Sequence, residues 1–489
     1  MNISTNLAQN CVIKRKKLGK TGFFASLCGF GSYRIDQGIN LHKSALELAV
    51  KNGINLIDTA SNYSDGGSEV LIGQVLQGMF NSGTASRENL IIVTKGGLIQ
   101  GDNLRIASEK EFSGRPYKEV VKCSADLWHC IHPRFLEDQI TASLRRLKLD
   151  KIDVYLLHNP ENFLLNPGNF AGEELYKEYY SRIKKAFLHL EKEVQKGRIS
   201  WYGIASNTLG EDSSAEGFTS LETILNLFSE KEQDNHFGVI QFPLNMMEKG
   251  ALNHINQQKN KTTVLKLAAM NNIGVLVNRP LNAIVDEKVI RLADFPVKFD
   301  KTIEELSAMV NDLGEQEKYI SDEFVGSSNF SSSEKRSLYD CLSLAKIIKS
   351  TYQGFNSPNH FEEIKNYYLI PRVNYALSML VGSGMTNEIL IKAIKKYAFA
   401  VNNLLDSIYG YLAKRYNEGN KELHAKLDSY LNDEQKKLTL SQKSVLMINS
   451  LPEVSSTMVG MRKVEFVKDM LVCMKSDYVN DVYDFWLSD

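Results

Sequence analysis

The chain has 489 residues, with 58 basic and 58 acidic side chains, so its formal charge is zero. Hydrophobic residues make up 43% of the sequence and charged residues 24%, which excludes a chain that is mostly disordered. The balanced charge also argues against nucleic acid or a membrane surface as a partner, because both attract strongly basic proteins. The length allows several domains, or one large barrel with additions.

Cysteine usage and the first residues predict a cytoplasmic protein. Six cysteines are too few for a disulfide framework in a chain of this length, and none forms a CxxC pair. No stretch is long and apolar enough to span a membrane, and the first 17 residues lack the apolar region of a signal peptide. The segment His129–His132 holds potential metal ligands, but no second cluster accompanies it, so we predict no metal site.

Eight short apolar runs alternate with amphipathic stretches along the chain. The runs are Ser26–Gly31, Ile54–Asp58, Leu90–Lys95, Ile152–His158, Ile199–Ser206, Phe237–Gln241, Ile273–Asn278 and Thr457–Gly460. Runs of this length without polar alternation are typical of strands buried on both faces. The alternation predicts an α/β fold, a (β/α)₈ TIM barrel, with helices at Leu41–Asn52, Glu69–Phe80, Arg134–Leu147, Glu174–Lys196 and Thr262–Asn271. An open doubly wound sheet is less favoured, because Gly29-Phe30-Gly31 matches its phosphate loop poorly.

The alternation breaks between the seventh and eighth runs, where the sequence predicts a large helical insertion. A serine-rich segment, Gly326–Ser333, is typical of a surface loop. Further on, apolar residues at alternating steps of four and three place one stripe along a helix that Gly419 would end. The stripe is Leu390, Ile394, Tyr397, Val401, Leu404, Ile408 and Tyr411. Packing within an all-helical insertion and a coiled-coil dimer both explain it, and the oligomeric state stays open.

These patterns predict the domain organisation. The barrel would comprise residues 13–283 and 441–475, the helical insertion residues 284–440, and a C-terminal tail residues 476–489.

Four polar residues stand at or just after predicted strand ends, where barrel enzymes keep their active sites. Asp58 ends the second run, Tyr63 follows it, Lys95 ends the third run and His158 ends the fourth. Such groups are costly at an apolar barrel mouth unless they are paired, so they predict a catalytic cluster. The long connection Gly97–Pro133, which carries His129, lies at the same face and would shape a substrate pocket.

Several motifs together resemble the aldo-keto reductase superfamily. The segment Gly53–Gly73 contains Asp58, Tyr63 and a Ser-Glu pair in the family's arrangement, and Leu144–Pro160, Gly203–Asn207 and Ser456–Asp469 extend the resemblance. It covers roughly the two predicted barrel segments. Two segments that follow apolar runs resemble those of a little-characterised subgroup of the family with an enlarged C-terminal half. They are His158–Glu161 and Asn278–Ala283.

The resemblance implies a catalytic tetrad of Asp58, Tyr63, Lys95 and His158. Tyr63 would donate a proton to the oxygen of a carbonyl that accepts a hydride, and His158 would hydrogen-bond that oxygen. Lys95 would lower the pKa of Tyr63, and Asp58 would keep Lys95 charged and oriented.

The resemblance also implies contacts to a nicotinamide cofactor. Ser206, Asn207 and Gln241 match residues that bind the nicotinamide carboxamide, although a loop cap also explains the first two. Gly460 and Arg462 lie where backbone N–H groups and a helix start suit a phosphate.

Arg462 indicates NADP, with NAD as the alternative, because a guanidinium can clamp the 2′-phosphate with two hydrogen bonds. An exposed arginine without a ligand also explains it. Asn278 departs from the family, which usually has an aromatic residue stacked on the nicotinamide there. The neighbouring Arg279 would contact substrate or a cofactor phosphate instead.

The sequence therefore predicts an NAD(P)-dependent oxidoreductase that reduces an aldehyde, ketone or sugar to an alcohol, or catalyses the reverse. Its partners would be a small carbonyl or alcohol substrate, with neither nucleic acid nor membrane. The alternative is a nucleotide-binding regulatory subunit on the same scaffold, because fold alone does not decide function. A lyase or isomerase on an unrelated barrel would leave the matches at Gly203–Asn207 and Val459–Arg462 unexplained.

Overall fold

The computed structural model of the protein describes residues 13–228, 234–285, 288–355, 357–382 and 388–488. Cys11 lies outside this part of the chain, and the other cysteines are free thiols. Within the described residues, no helix is both long and apolar enough to cross a membrane.

The described residues form two compact units. The barrel unit comprises the chain up to Leu292 and from Leu427 onward, and the helical unit comprises Ala293–Lys426. The sequence prediction drew the insertion wider, at residues 284–440, and those domain limits stay a prediction. The predicted tail, 476–489, carries a short helix in which Trp486 is fully buried.

Eight parallel strands close into a barrel in the first unit, which confirms the predicted fold. The barrel strands are β1 Cys28–Gly31, β2 Leu56–Asp58, β3 Ile91–Gly96, β4 Ile152–His158, β5 Ile199–Ala205, β6 Phe237–Pro243, β7 Gly274–Asn278 and β8 Ser456–Gly460. The apolar runs coincide with these strands because a barrel strand is buried on both faces.

The strand register brings the carboxyl ends of neighbouring strands to one rim. Gly31 of β1 pairs with Asp58 of β2, and Ala205 of β5 pairs with His158 of β4. Below the rim, the interior is filled by an apolar layer of Leu56, Ile91, Val93, Val154, Leu156, Ala205, Val239, Leu276 and Met458, together with Leu18 and Ala25. The polar residues at the strand ends therefore stand above a packed core, as the (β/α)₈ architecture requires.

Helices alternate with the barrel strands along the chain, and several more form the segment between β7 and β8 in sequence. They are α1 Asn40–Lys51, α2 Gly67–Asn81, α3 Gly101–Phe112, α4 Pro133–Leu147, α5 Asn162–Leu165, α6 Gly172–Gln195, α7 Leu221–Leu225, α8 Gly250–Asn253, α9 Val264–Met270, α10 Ile303–Ile320, α11 Ser332–Cys341, α12 Leu344–Thr351, α13 Pro358–Ile364, α14 Ile370–Gly382, α15 Glu388–Gly419, α16 Lys421–Asp428, α17 Asp433–Lys436, α18 Leu440–Asn449, α19 Val464–Cys473 and α20 Val482–Trp486.

Short strands outside the barrel build its additions. Arg15–Lys17 pairs with Phe24–Ser26 in an antiparallel ladder, and Asn282–Val285 pairs with Lys288–Arg291 just after β7. The long connection after β3 forms a small sheet from Leu98–Ile99, Trp128–His129 and Val121–Lys122.

The helical unit has a hydrophobic core of its own. Its buried members include Leu306, Val310, Leu313, Ile320, Leu338, Leu344, Ile348, Phe361, Val373, Ala376, Leu380, Leu390, Tyr397, Val401, Leu404 and Ile408. The predicted stripe on α15 is thus covered by helices of the same unit, with Ile394 and Tyr411 partly buried against it. A long apolar stripe needs such a cover, and the structure favours packing within the unit over a dimer.

The two ends of the helical unit are hydrogen-bonded to each other. The backbone N–H of Phe295 donates to Oδ1 of Asn417, and the amide of Asn417 donates back to the Phe295 carbonyl at 2.8 Å. The His424 ring lies 3.0 Å from the Asp294 carboxylate. The chain therefore leaves this unit beside the point where it enters.

Replacing Val401 and Leu404 with aspartate should unfold the helical unit. Both side chains are fully buried, and each substitution removes apolar contacts worth about 2–5 kcal/mol and buries a charge besides. Thermal unfolding followed by circular dichroism should show the loss. Phe399→Asp on the same helix is the control, because that side chain is 73% exposed. A folded double variant of lower oligomeric state would favour the dimer instead.

Candidate active site

The structure brings Asp58, Tyr63 and Lys95 together at the rim of the barrel. Lys95 Nζ lies 2.7 and 2.8 Å from the two carboxylate oxygens of Asp58. It also donates to the carbonyl of Thr59 at 2.9 Å and lies 3.4 Å from the Tyr63 hydroxyl. An ammonium has three protons to donate, so these three partners satisfy it completely.

Burial and neighbouring charges act in opposite directions on the pKa values of this group. Burial lowers the pKa of the fully buried Lys95, but the charge and hydrogen bonds of Asp58 and Tyr63 raise it more, so the lysine pKa lies above its ordinary value. Burial raises the pKa of the Tyr63 phenol, against the opposing effect of the Lys95 charge. Lys95 therefore lowers the phenol pKa, as the sequence predicts, but burial has the larger effect. Tyr63 thus keeps its proton at neutral pH, as a proton donor must.

His158, the fourth residue of the predicted tetrad, lies beside Tyr63. The two rings meet edge to face, with centroids 6.0 Å apart. Burial, with the nearby charge of Lys95, places the His158 pKa well below its ordinary value, so the imidazole is neutral at neutral pH. Its Nδ1 atom is buried and has no hydrogen-bond partner among the residues that the structure describes. A neutral imidazole carries one N–H donor, which is what a substrate oxygen requires.

His129 supports His158 from the long connection after β3. Its Nε2 lies 2.9 Å from the backbone carbonyl of His158, and it donates there because a carbonyl can only accept. Burial lowers the pKa of His129 to about 4, so this ring is also neutral. The His129 ring is therefore engaged in a hydrogen bond to the His158 carbonyl. Within the described part of the chain, no group of His, Cys, Asp and Glu is suited to a metal ion.

Tyr63 sits on a tight turn held at several points. Ser64 and Asp65 have φ angles of 47° and 55°, the left-handed region that non-glycine residues rarely adopt. The Ser64 hydroxyl donates to the Ile35 carbonyl, and Asp65 accepts the backbone N–H of Asp102 at the start of α3. These anchors could not be predicted from the sequence, because they join segments that are distant along the chain.

The predicted carboxamide-binding residues lie at the ends of β5 and β6. The Ser206 backbone N–H donates to the carbonyl of Gln241 at 3.0 Å, and both side chains are buried. The Gln241 amide also donates to Oδ1 of Asp58 at 3.0 Å. Gln241 therefore joins the predicted cofactor residues to the Asp58–Lys95 pair, a link that sequence reasoning missed.

Asn207 follows Ser206 and is tied to the preceding barrel turn. Its backbone N–H donates to Glu161 Oε1 at 2.8 Å. Asn207 also borders a cavity of about 550 Å³. The segments after β5, β6 and β7 line this cavity and contribute Gly210, Glu211, Pro243, Met247, Glu248, Lys249, Gly250, Ala251, Asn253, His254, Ile284 and Val285, with Ser488 at its edge.

Asn278 and Arg279 end β7 in an unusual backbone conformation. Arg279 has a φ of 50°, and its guanidinium pairs with the Glu248 carboxylate at 2.6 Å. Asn278 Oδ1 is buried and lacks a hydrogen-bond partner within the described chain. The structure thus places Arg279 in an ion pair beside the cavity and leaves an amide oxygen of Asn278 to accept a donor.

Gly460 ends β8, and Arg462 lies between β8 and α19. A Cβ added at Gly460 would meet nothing within 4 Å, so this turn is open on its outer side. No side chain caps the first turn of α19, although the backbone N–H of Phe466 donates to the Lys463 carbonyl at 3.1 Å. Arg462 is half-buried, and its charge contributes to the lowered pKa of His42, after the larger effect of burial.

Comparisons with known proteins identify the family of this chain. The family model described as "Aldo/keto reductase family" matches residues 29–318, and the chain belongs to this family. It is 31% identical over 155 residues to the NADH-specific methylglyoxal reductase of Escherichia coli, covering 30% of this chain and 42% of that protein. It is also 31% identical over 165 residues to the 6-dehydroglucose reductase of Novosphingobium aromaticivorans, covering 32% and 44% of the two chains.

The chain spans about half the length of the curated relatives it matches. Among solved structures, an aldo-keto reductase from Bacillus halodurans in its holo form aligns with 97% of this chain and 96% of its own, at 14% identity and a TM-score of 0.47.

The residues present fit a nicotinamide dinucleotide. The unpartnered Asn278 oxygen and the Ser206 and Gln241 side chains offer polar groups to a carboxamide. The uncapped start of α19, the open turn at Gly460 and the cation of Arg462 suit phosphate groups.

Proposed function

We propose that the protein is an NADP-dependent oxidoreductase that interconverts a small carbonyl compound and its alcohol. The observation that carries this proposal is the fully partnered Lys95 ammonium between Asp58 and the Tyr63 hydroxyl. Burying a lysine and an aspartate costs free energy of folding. Here the pair lies at the barrel rim beside the neutral phenol of Tyr63, whose proton transfer it can assist. Membership of the aldo/keto reductase family supports the same chemistry.

Each residue of the tetrad has a distinct task in this reaction. A bound nicotinamide supplies or receives the hydride. Tyr63 donates its hydroxyl proton to the carbonyl oxygen, on which negative charge develops. The Lys95 ammonium stabilises the phenolate that remains, and Asp58 keeps that ammonium charged and in place. The neutral His158 donates a hydrogen bond to the same oxygen and orients the substrate.

The binding residues divide between the two ends of the cofactor. Ser206, Asn207 and Gln241 hold the carboxamide, and the turn from Gly460 to Arg462 holds the adenosine phosphate. The Arg279 guanidinium is already paired with the Glu248 carboxylate. If Arg279 contacts a cofactor phosphate, it does so while it remains in this ion pair. NAD remains the alternative cofactor, since one similar protein is described as NADH-specific.

Arg462→Ala should weaken NADPH binding selectively. If the guanidinium contacts the 2′-phosphate, its loss costs about 1.5–3 kcal/mol of binding free energy, the range for a charged hydrogen bond. NADH lacks that phosphate and should bind as before. Fluorescence titration of both cofactors against the wild type and the variant measures the difference. Equal losses for NADPH and NADH would assign Arg462 to the pyrophosphate or to the fold.

The substrate class can be found with a panel of small aldehydes, ketones and sugars. NADPH consumption in the presence of each compound reports turnover. A regulatory subunit that binds the nucleotide without catalysis is the second candidate, favoured by Asn278 in place of an aromatic residue. NADPH binding without turnover across the whole panel would support that second candidate. The predicted cytoplasmic location is independent of this test and stays a prediction.

A further inference from the structure

Glu161 is a buried carboxylate at the barrel rim for which the tetrad has no use. Its side chain is 2% exposed and lies in the turn after β4. One oxygen, Oε1, accepts the backbone N–H of Asn207 at 2.8 Å. The other, Oε2, is buried and has no hydrogen-bond partner in the described part of the chain. Burying a carboxyl oxygen without a hydrogen-bond partner costs free energy, so the position of this side chain needs an explanation.

The backbone between His158 and Glu161 directs this side chain toward β5. Asn159 has a φ of 48°, a left-handed conformation that asparagine tolerates better than most residues. Its N–H donates to the Ala205 carbonyl at 2.8 Å, one residue before Ser206. Two hydrogen bonds, from Asn159 to Ala205 and from Asn207 to Glu161, thus tie the turn after β4 to the turn after β5.

The pKa of Glu161 depends on the residues at the start of the turn after β5. Burial raises its pKa to about 7, and the Asn207 N–H and the Ser206 hydroxyl act against that rise. Both neighbours are residues that we assign to the nicotinamide carboxamide. The carboxyl group therefore contacts the backbone of Asn207 directly, while the backbone that carries it also carries His158.

We propose that Glu161 is a positioning residue, which holds Asn207 in place for the cofactor and keeps it in register with His158. This inference rests on the proposed function. The side chain touches neither substrate nor cofactor and acts through the Asn207 backbone. Without its acceptor oxygen, the turn after β5 loses the hydrogen bond that fixes Asn207, and the carboxamide site loosens.

Two substitutions with side chains of nearly equal size distinguish the loss of the hydrogen-bond acceptor from a change in side-chain shape. Glu161→Gln keeps an oxygen that can accept the Asn207 N–H, whereas Glu161→Met fills the space without an acceptor. We expect the methionine variant to bind NADPH at least tenfold more weakly than the wild type and the glutamine variant to stay within about threefold, since a hydrogen bond to a buried amide is worth about tenfold or more. Fluorescence titration well below the melting temperature measures the dissociation constants.

Glu317 in the helical unit supplies a matched control. It is also a buried carboxylate, accepts the backbone N–H of Leu344 at 2.8 Å and has a pKa raised by burial. Glu317→Met should lower the melting temperature and leave the NADPH dissociation constant unchanged.

The outcomes separate this inference from the proposed function. If Glu161→Gln and Glu161→Met bind NADPH equally well, or if both differ from the wild type only in melting temperature, Glu161 is structural and the inference is overturned. If the wild type binds neither NADPH nor NADH, the proposed function and the inference fall together. Weak binding by the methionine variant, restored by glutamine, supports the positioning role.

Discussion

Tyr63→Phe should lower the rate of carbonyl reduction by a factor on the order of a hundred or more, the usual scale for loss of a general acid. The variant keeps the ring that packs against His158 and loses only the hydroxyl near Lys95. NADPH should still bind, because the residues that we assign to the cofactor are untouched. Steady-state rates and a fluorescence titration of NADPH, measured on the same preparation, test both expectations.

Tyr155→Phe is the matched control for this variant. Tyr155 is fully buried in β4, and its hydroxyl has no hydrogen-bond partner among the described residues. Removing that hydroxyl should leave the rate unchanged. If Tyr63→Phe turns over a competent substrate as fast as the wild type does, the assignment of Tyr63 as proton donor is wrong.

Asp58→Asn should destabilise the protein and move its pH profile. Breaking a buried ion pair leaves Lys95 without its counter-charge, which costs at most about 3–5 kcal/mol of the free energy of unfolding. In the wild type the Lys95 pKa is raised, so the pair stabilises the fold below the pKa of an unfolded lysine and loses that effect only as pH rises through the folded pKa. The whole contribution is therefore present at neutral pH, and the variant lacks it there.

The pH dependence of the rate gives the second readout for Asp58→Asn. Without Asp58, burial lowers the Lys95 pKa with less opposition, so the lysine loses its proton at a lower pH. The alkaline limb of the rate profile should move to lower pH. Asp153→Asn is the control, because Asp153 is a buried aspartate paired with Arg87 at 2.8 Å near the start of β4. It should cost stability without moving the limb. An unmoved limb in Asp58→Asn would contradict the role of Asp58.

Much of the fold could be predicted because a barrel strand is recognisable from its own residues. The continuous apolar run Ile152–His158 coincides with β4, and Phe237–Gln241 begins where β6 begins. The polar residues at the ends of the predicted runs, Asp58, Lys95 and His158, marked the rim for the same reason. These signals are local, and the barrel architecture then places their ends together.

The contacts around the tetrad could not be predicted, because they depend on how distant segments meet. The donation of Gln241 to Asp58 joins β6 to β2, and His129 reaches the His158 carbonyl from a long connection. The sequence placed Glu161 in a motif but gave no sign that its side chain contacts Asn207. The effect of Lys95 on the Tyr63 pKa has the predicted direction, but the larger and opposite effect of burial depends on the folded surroundings and could not be predicted.

The paired ends of the helical unit bear on how the barrel closes during folding. Strand β8 must pair with β7 and β1, although the chain of Ala293–Lys426 intervenes between β7 and β8. The entropy cost of closing a flexible loop rises with its length, by about 0.6 kcal/mol for each doubling. Because Phe295 is hydrogen-bonded to Asn417, a helical unit that has already folded holds the two ends of this segment together. Each helix forms through contacts near in sequence, which are the quickest to make, and the unit is completed when α10 packs against α15. The barrel strands then meet across an effectively short connection, so a large insertion adds little to the search that completes the barrel.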